Sequence, residues 1–162
     1  MIKEKVSTAL IKHLNAELYS WYLYLAMSTH FENKNFLGFA KWMKIQAGEE
    51  MGHALKFMDY LNQVGVKVTL QQIDAPPADW AAFLDIFQMV YDHEVKVTDS
   101  INNLVDLAIS EKDHATNSFL QWFVNEQVEE VSTANLILEK LKFIGDSHNG
   151  LFMLDHELGK RS

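Results

Sequence analysis

The stretch QAGEEMGHALKF, residues 46–57, places polar side chains inside an apolar helical stripe. Stepping by three and four residues, this stripe runs through Phe39, Met43, Gln46, Glu50, His53, Phe57 and Tyr60. The inward-facing stripe of a packed helix is normally apolar along its length. Polar groups at its centre therefore indicate a site that is built inside a helix bundle.

Three further stripes are interrupted in the same way near the middle of their helices. The first stripe of the chain runs through Leu10, Leu14, Glu17, Trp21 and Tyr24. The third runs through Phe87, Val90, Glu94, Val97, Ile101 and Leu104. The fourth runs through Leu120, Phe123, Gln127, Glu130, Ala134, Ile137 and Leu141. Four packed helices are thus predicted to share one polar layer.

Length and composition favour one domain. A chain of 162 residues with 48% hydrophobic content suffices for one buried core, so residues 1–162 are predicted to form a single domain. No apolar run reaches the ~20 residues of a membrane helix, so we expect no membrane partner. The start, Met1 to Glu4, lacks the apolar stretch of a signal peptide, and a cytoplasmic location is expected.

Cysteine content and charge restrict the chemistry. The chain has no cysteine, which excludes disulfides, thiolate nucleophiles and sulfur-ligated metals. Its formal net charge of -8 disfavours nucleic acid as a partner and favours cations. Any metal must therefore be bound by oxygen and nitrogen atoms.

Periodicity predicts an all-α fold with four long helices and one short fifth helix. They cover residues 4–31, 36–64, 80–110, 113–144 and 147–159, so that the bundle takes up about residues 4–144. Asp113 is expected to cap the fourth helix, which ends before Gly145. Short turns join the first helix to the second and the third to the fourth, which predicts two antiparallel pairs.

The segment from Gly65 to Asp79 joins these two pairs. Pro76 and Pro77 prevent a helix there, and Asp79 is expected to cap the third helix. About 15 extended residues span about 50 Å, whereas a bundle helix of about 28 residues is about 42 Å long. The linker can therefore cross the whole bundle. A long crossover between helices 2 and 3 makes them parallel, unlike those of a simple up-and-down bundle.

The polar groups of the four stripes are predicted to meet. Counting residues from the two short turns places Glu17 level with Glu50, and Glu94 level with Glu130. Glu50 and His53 are three positions apart, so they project from one helix face. Each unpaired buried carboxylate costs several kcal/mol, and no lysine or arginine lies in the stripes to neutralise it.

Two divalent cations would balance these four carboxylates. The pattern predicts a dinuclear centre in which Glu50 bridges, Glu17 and His53 complete one position, and Glu94 and Glu130 form the other. Oxygen ligands with one imidazole suit iron or manganese and also admit zinc. The residues alone leave the metal open.

The chain resembles the bacterial non-haem ferritins at Glu17, Tyr24, Glu94, residues 49–53 (EEMGH) and residues 117–130 (NSFLQWFVNEQVEE). The resemblance implies a ferritin-like four-helix bundle with ferroxidase activity. Two ferrous ions are then oxidised by dioxygen at the dinuclear centre. The ferric product is stored as a mineral inside a homo-oligomeric shell of 24 subunits.

The resemblance also implies roles for residues around the centre. Gln127 matches a residue that orients a bound water or oxygen species. Tyr24, one heptad after Glu17, is expected to reach back toward the centre, where it bonds a ligand carboxylate or supplies an electron. The alternative is an ordinary core tyrosine.

A third iron site beside the first two is implied by Glu49, Glu126 and Glu129. The alternative for these three carboxylates is a solvated acidic helix face.

Haem is not expected. Bacterioferritins carry a second Glu-x-x-His motif on the last long helix, where this chain has Gln127 and Glu130. Met51 matches their haem-binding methionine, but methionine is more often a packing residue. The terminal segment, with Leu151, Leu154 and Leu158, either covers its own bundle or lines a symmetry axis, and the resemblance favours the axis.

Three other functions remain open at this point. A non-catalytic metal buffer would use the same carboxylates without consuming dioxygen. A di-iron oxidase or oxygenase acting on an organic substrate would need an apolar pocket beside the metals. A haem electron carrier is the weakest alternative.

Overall fold

The computed structural model describes residues 2–162. These form five helices: α1 (Glu4–Asn33), α2 (Leu37–Gln63), α3 (Phe83–Ser110), α4 (His114–Ile144) and α5 (His148–Leu158). The predicted all-α architecture is confirmed, and each predicted helix is present. Within the described range, no helix is both long enough and apolar enough to cross a membrane.

Contacts between helix ends show that the chain crosses the bundle between α2 and α3. Phe83, at the start of α3, packs against Phe36, just before α2, with ring centroids 4.7 Å apart. At the other end, Phe57 of α2 packs against Phe119 near the start of α4, with centroids 5.3 Å apart. Because α3 and α4 are joined by a short turn, α2 and α3 run in the same direction, as predicted.

Side-chain caps define the starts of α4 and α5. The predicted cap is confirmed at Asp113, whose Oδ1 accepts a hydrogen bond from the Thr116 amide at 3.0 Å. Ser147 caps α5 in the same way, and its Oγ accepts from the Gly150 amide at 3.1 Å. These caps satisfy amide groups that have no partner within the first helical turn.

The prediction for the start of the third helix was wrong. We expected a helix from Trp80 with Asp79 as its cap, whereas α3 begins at Phe83, and the Ala82 side chain makes no capping bond. Asp79 instead places its Oδ1 3.4 Å from Nδ1 of His30. The Trp80 ring packs edge-on against the His30 ring, with centroids 5.2 Å apart. These contacts hold Asp79 and Trp80 against α1, and the first helical turn begins after them, at Phe83.

The core consists of two apolar clusters with a polar layer between them. One cluster contains Phe31, Phe39 and Phe87, and the other contains Leu10, Leu14, Phe57, Ile101 and Leu120. The buried residues between the clusters are Glu17, Gln46, Glu50, His53, Glu94, Gln127 and Glu130. The four predicted stripes are buried, except that Trp21 and Tyr60 are partly exposed.

Helix α5 packs closely against the start of α2. The Phe39 amide donates a hydrogen bond to Oδ1 of Asp155 at 2.9 Å. A Cβ atom at Gly38 would lie 1.7 Å from the backbone oxygen of Asp155, so this approach requires glycine. Leu154 and Leu158 are buried, which means that α5 covers its own bundle with one face.

Candidate metal centre

Glu17, Glu50 and His53, predicted for one metal position, lie together in the polar layer. One ligand atom from each lies within 4.8 Å of the others. Nδ1 of His53 is 3.5 Å from Oε2 of Glu50 and 3.8 Å from Oε2 of Glu17. Helices α1 and α2 position these groups because their antiparallel packing brings the two midpoints to one level.

His53 also belongs to a second group of ligand atoms, with Glu126 and Glu130 of α4. Nε2 of His53 is 3.9 Å from Oε1 of Glu126. Glu126 is predicted for a third site and Glu130 for one position with Glu94. In the structure, Glu126 and Glu130 each have a ligand atom within 4.8 Å of one in His53.

Glu94 is buried in the layer but belongs to neither group of ligand atoms, and two neighbours hold its carboxylate. The Tyr24 hydroxyl donates a hydrogen bond to Oε1 of Glu94, and Gln127 donates to Oε2 at 3.3 Å. Tyr24 thus makes the carboxylate contact that was one of its two predicted roles, while electron supply stays a prediction. Gln127 also donates to Oγ1 of Thr98 at 3.3 Å, which fixes its amide group.

Gln46 joins the α2 and α4 sides of the layer. Its Nε2 donates to Oε1 of Glu50 at 3.1 Å and to Oε2 of Glu130 at 2.8 Å. Gln46 belongs to the polar stripe of the second helix, but its spacing predicted no role for it. In the structure it is a direct partner of two candidate ligands.

Burial changes the protonation of the layer. It raises the pKa of both Glu50 and Glu94 to about 8 and that of Glu130 to about 7, and neighbouring carboxylates contribute. Burial lowers the pKa of His53, but the nearby carboxylates of Glu17 and Glu50 outweigh burial and raise the value to about 11. Without metal, the layer therefore retains protons, which cations would displace.

Sequence reasoning missed His13. This buried residue has its Nε2 2.7 Å from Oε1 of Glu17 and its Nδ1 2.8 Å from the Ser100 hydroxyl. Oε2 of Glu17 is buried without a hydrogen-bond partner, so it is free to bind a cation. Burial raises the pKa of Glu17, but the hydrogen bond with His13 and the nearby His53 ring outweigh burial and lower the pKa, so that Glu17 stays ionised. The sequence signal was the four-residue spacing between His13 and Glu17.

Replacing His13 with leucine is expected to weaken cation binding at Glu17 by about tenfold or more, because outer partners of metal ligands have effects of that size. The Leu side chain cannot donate a hydrogen bond and leaves Oε1 of Glu17 buried without a partner. His13→Gln, which keeps an N–H donor, is the matched control. Co²⁺ titration of the metal-free protein, followed by visible absorption, measures both affinities. Equal affinity for His13→Leu and the unchanged protein would contradict this role.

The remaining predicted residues lie further out. Glu49 is exposed and forms an ion pair with Arg161, and Glu129 is exposed on α4. Only Glu126 of the predicted third-site residues lies among the central ligand atoms. The Nε2 atom of His93 lies 2.7 Å from the Ser20 hydroxyl.

Comparisons with known proteins agree with this arrangement. Residues 7–144 match the family model described as Ferritin-like domain. A bacterial non-heme ferritin from Bacteroides fragilis is 45% identical over 161 residues, which cover 99% of this chain and 100% of the relative. One from Campylobacter jejuni is 37% identical over 155 residues, which cover 96% of this chain and 93% of the relative.

A solved structure, described as an open pore ferritin from the hyperthermophilic archaeon Archaeoglobus fulgidus, superposes with a TM-score of 0.98. The two chains are 46% identical, and the match covers 100% of each.

Proposed function

This chain belongs to the ferritin family, and from that membership we propose that it oxidises ferrous iron with dioxygen and stores the ferric product. The observation that carries the proposal is the buried layer of Glu17, Glu50, His53 and Glu130 between two apolar clusters. Among the described residues, no lysine or arginine forms an ion pair with these carboxylates. Metal cations can replace the protons that this layer otherwise retains and can neutralise its carboxylates.

Ferrous iron is the substrate at this centre. We assign one ion to Glu17 and His53 and a second to Glu94 and Glu130, with Glu50 bridging them. The assignment is supported by the charge balance of four carboxylates against two divalent ions and by the unpaired Oε2 of Glu17. Each ferrous ion gives one electron to dioxygen. Tyr24 and Gln127 hold Glu94 in place during this step.

Storage requires a shell, and the proposal includes an assembly of 24 copies. Family membership supports it, and so do apolar side chains that an isolated chain would leave in water. Phe143 is 93% exposed, Met153 is 74% exposed and Phe152 is 65% exposed. The cytoplasmic location and the single domain over residues 1–162 stay predictions.

Anaerobic titration of the metal-free protein with ferrous iron, followed by an air pulse, tests the function. Dioxygen uptake, near-ultraviolet absorbance and light scattering are recorded together. Rapid, saturable oxidation by a large assembly that then holds far more iron than its binding sites is the expected result. Iron binding without dioxygen uptake would indicate a buffer instead. Oxidation by a monomer or dimer would favour an oxidase with an organic substrate.

The third iron site, with Glu49, Glu126 and Glu129, is also part of the proposal. Glu129→Ala is expected to change the ratio of iron oxidised to dioxygen consumed while the initial oxidation rate stays nearly the same, because Glu129 lies outside the central groups. Glu139→Ala, on the same helix and paired only with Lys142, is the control. Oxygen-electrode measurements give both quantities. An initial rate that falls as much as the ratio changes would argue against a separate site.

A further inference from the structure

Arg161, three residues beyond the end of α5, lies on α2 at the level of the polar layer. Its Nη1 donates to Oε1 of Gln46 at 2.9 Å and to the Trp42 carbonyl at 3.4 Å. Its Nη2 forms an ion pair with Oε2 of Glu49. The guanidinium also lies over the Trp42 ring, 4.7 Å from the centroid. Four contacts on one helix fix the position of this side chain.

The backbone before Arg161 is held against α2 as well. Nζ of Lys41 donates to the Gly159 carbonyl at 3.0 Å. Together with the packing of α5 on Gly38, this bond brings the segment after α5 to the middle of α2. The fold therefore places Arg161 next to Gln46, although the two residues are 115 positions apart in the sequence.

The contact with Arg161 determines which way the Gln46 amide faces. A guanidinium has only hydrogen-bond donors, so it must face the amide oxygen of Gln46. The NH₂ group must then face the other way, where it meets Oε1 of Glu50 and Oε2 of Glu130. If the amide turned over, its oxygen would lie against two carboxylates. Because arginine stays charged at any ordinary pH, the orientation persists.

We propose that Arg161 is a positioning residue of the metal centre, acting through Gln46 to hold Glu50 and Glu130 in the orientation that binds the second iron ion. The ion pair with Glu49 and the stacking on Trp42 keep the guanidinium in place for this task. This role rests on the proposed function, because it presumes that Glu50 and Glu130 are ligands.

The test uses Co²⁺, which dioxygen does not oxidise at this site, in titrations of the intact metal-free assembly. In Arg161→Gln, the affinity for the second ion is expected to fall by about tenfold or more, as for other outer partners of metal ligands. The affinity for the first ion is expected to fall less, because Glu17 and His53 bind it without contacting Gln46 and only the bridging Glu50 is shared. Arg161→Lys keeps one donor for Gln46 and is expected to restore part of the loss. Lys160→Gln, an exposed neighbour with the same change of charge, is the control.

A double-mutant cycle tests the route through Gln46. Gln46→Met removes both the carbonyl oxygen and the NH₂ group of the side-chain amide. Adding Arg161→Gln to Gln46→Met is therefore expected to cause no further loss of Co²⁺ affinity. If the two substitutions reduce Co²⁺ affinity additively, Arg161 does not act through Gln46, and the proposed route is overturned. Light scattering and circular dichroism establish that each variant is folded and assembled.

Two results separate this role from the function on which it rests. If the unchanged protein binds two Co²⁺ ions per chain and Arg161→Gln binds them equally well, only the role of Arg161 is overturned. If the unchanged protein fails to bind two ions, the dinuclear centre itself is overturned, and the role of Arg161 with it.

Discussion

Replacing Glu50 with alanine is expected to abolish the rapid phase of ferrous oxidation. Glu50 is the carboxylate proposed to contact both iron ions, and its Oε2 lies 3.5 Å from His53. Its Oε1 accepts a hydrogen bond at 3.1 Å from Gln46, and Gln46 also contacts Glu130. Loss of a residue that only hydrogen-bonds to a metal ligand reduces metal affinity by up to about a hundredfold. Loss of the bridging ligand should therefore lower the initial rate by about a hundredfold or more.

Stopped-flow absorbance after mixing the metal-free shell with ferrous iron in air measures this rate. Asp59→Ala is the matched control, since Asp59 is an exposed carboxylate on the same helix. Both variants should assemble as the unchanged protein does, because the two apolar clusters remain intact. Rapid oxidation by an assembled Glu50→Ala shell would show that the chemistry takes place elsewhere.

The fold could be predicted from the sequence because its main signals are local. The helix stripes repeat every three to four residues, and both prolines lie in one linker that is long enough to cross the bundle. The error at Asp79 and Trp80 has a non-local cause. Asp79 and Trp80 both contact His30 on α1, and no local sequence pattern indicates this contact.

The site was predictable to the extent that its residues share a helix face. Glu50 and His53 are three positions apart, and the spacing alone placed them together. His13 carried a similar signal, because it lies four positions before Glu17 on the same helix face. Arg161 could not be predicted, because its contact with Gln46 depends on how α5 packs against α2. The position of Glu126 beside His53 depends on side-chain rotamers.

Thermal stability of the metal-free protein is expected to fall as the pH rises from about 5.5 to 8.5. Burial raises the folded-state pKa of Glu50 and Glu94 to about 8 and that of Glu130 to about 7, from 4.5 in the unfolded chain. Between these values the folded state binds more protons than the unfolded state, so stability decreases with pH. The stability that these three carboxyl groups contribute is fully present below about pH 4.5 and is lost as the pH rises through 7 to 8.

The other two titrating groups of the layer do not reverse this trend. The pKa of His53 is raised to about 11 from 6.5, so its contribution is also lost as the pH rises above neutrality. The pKa of Glu17 is lowered, so Glu17 is ionised in both states above about pH 5.5 and changes nothing in this range. Each pKa unit corresponds to about 1.4 kcal/mol. The buried groups titrate as an interacting set, so the separate shifts do not simply add, and the layer should cost at least a few kcal/mol by pH 8.5.

Differential scanning calorimetry of the metal-free assembly across this range is the measurement. A loss of a few kcal/mol in a chain of this length corresponds to a fall in Tm of about 10 °C. Glu94→Gln removes one titrating carboxylate and should make the slope against pH shallower, whereas Asp59→Ala should leave it unchanged. Zn²⁺ at pH 8.5 should restore the lost stability, because it takes the place of the protons and binds only the folded state. A Tm that does not vary with pH would mean that these carboxyl groups titrate in the folded protein as they do in the unfolded chain, so that the layer holds no extra protons for cations to displace.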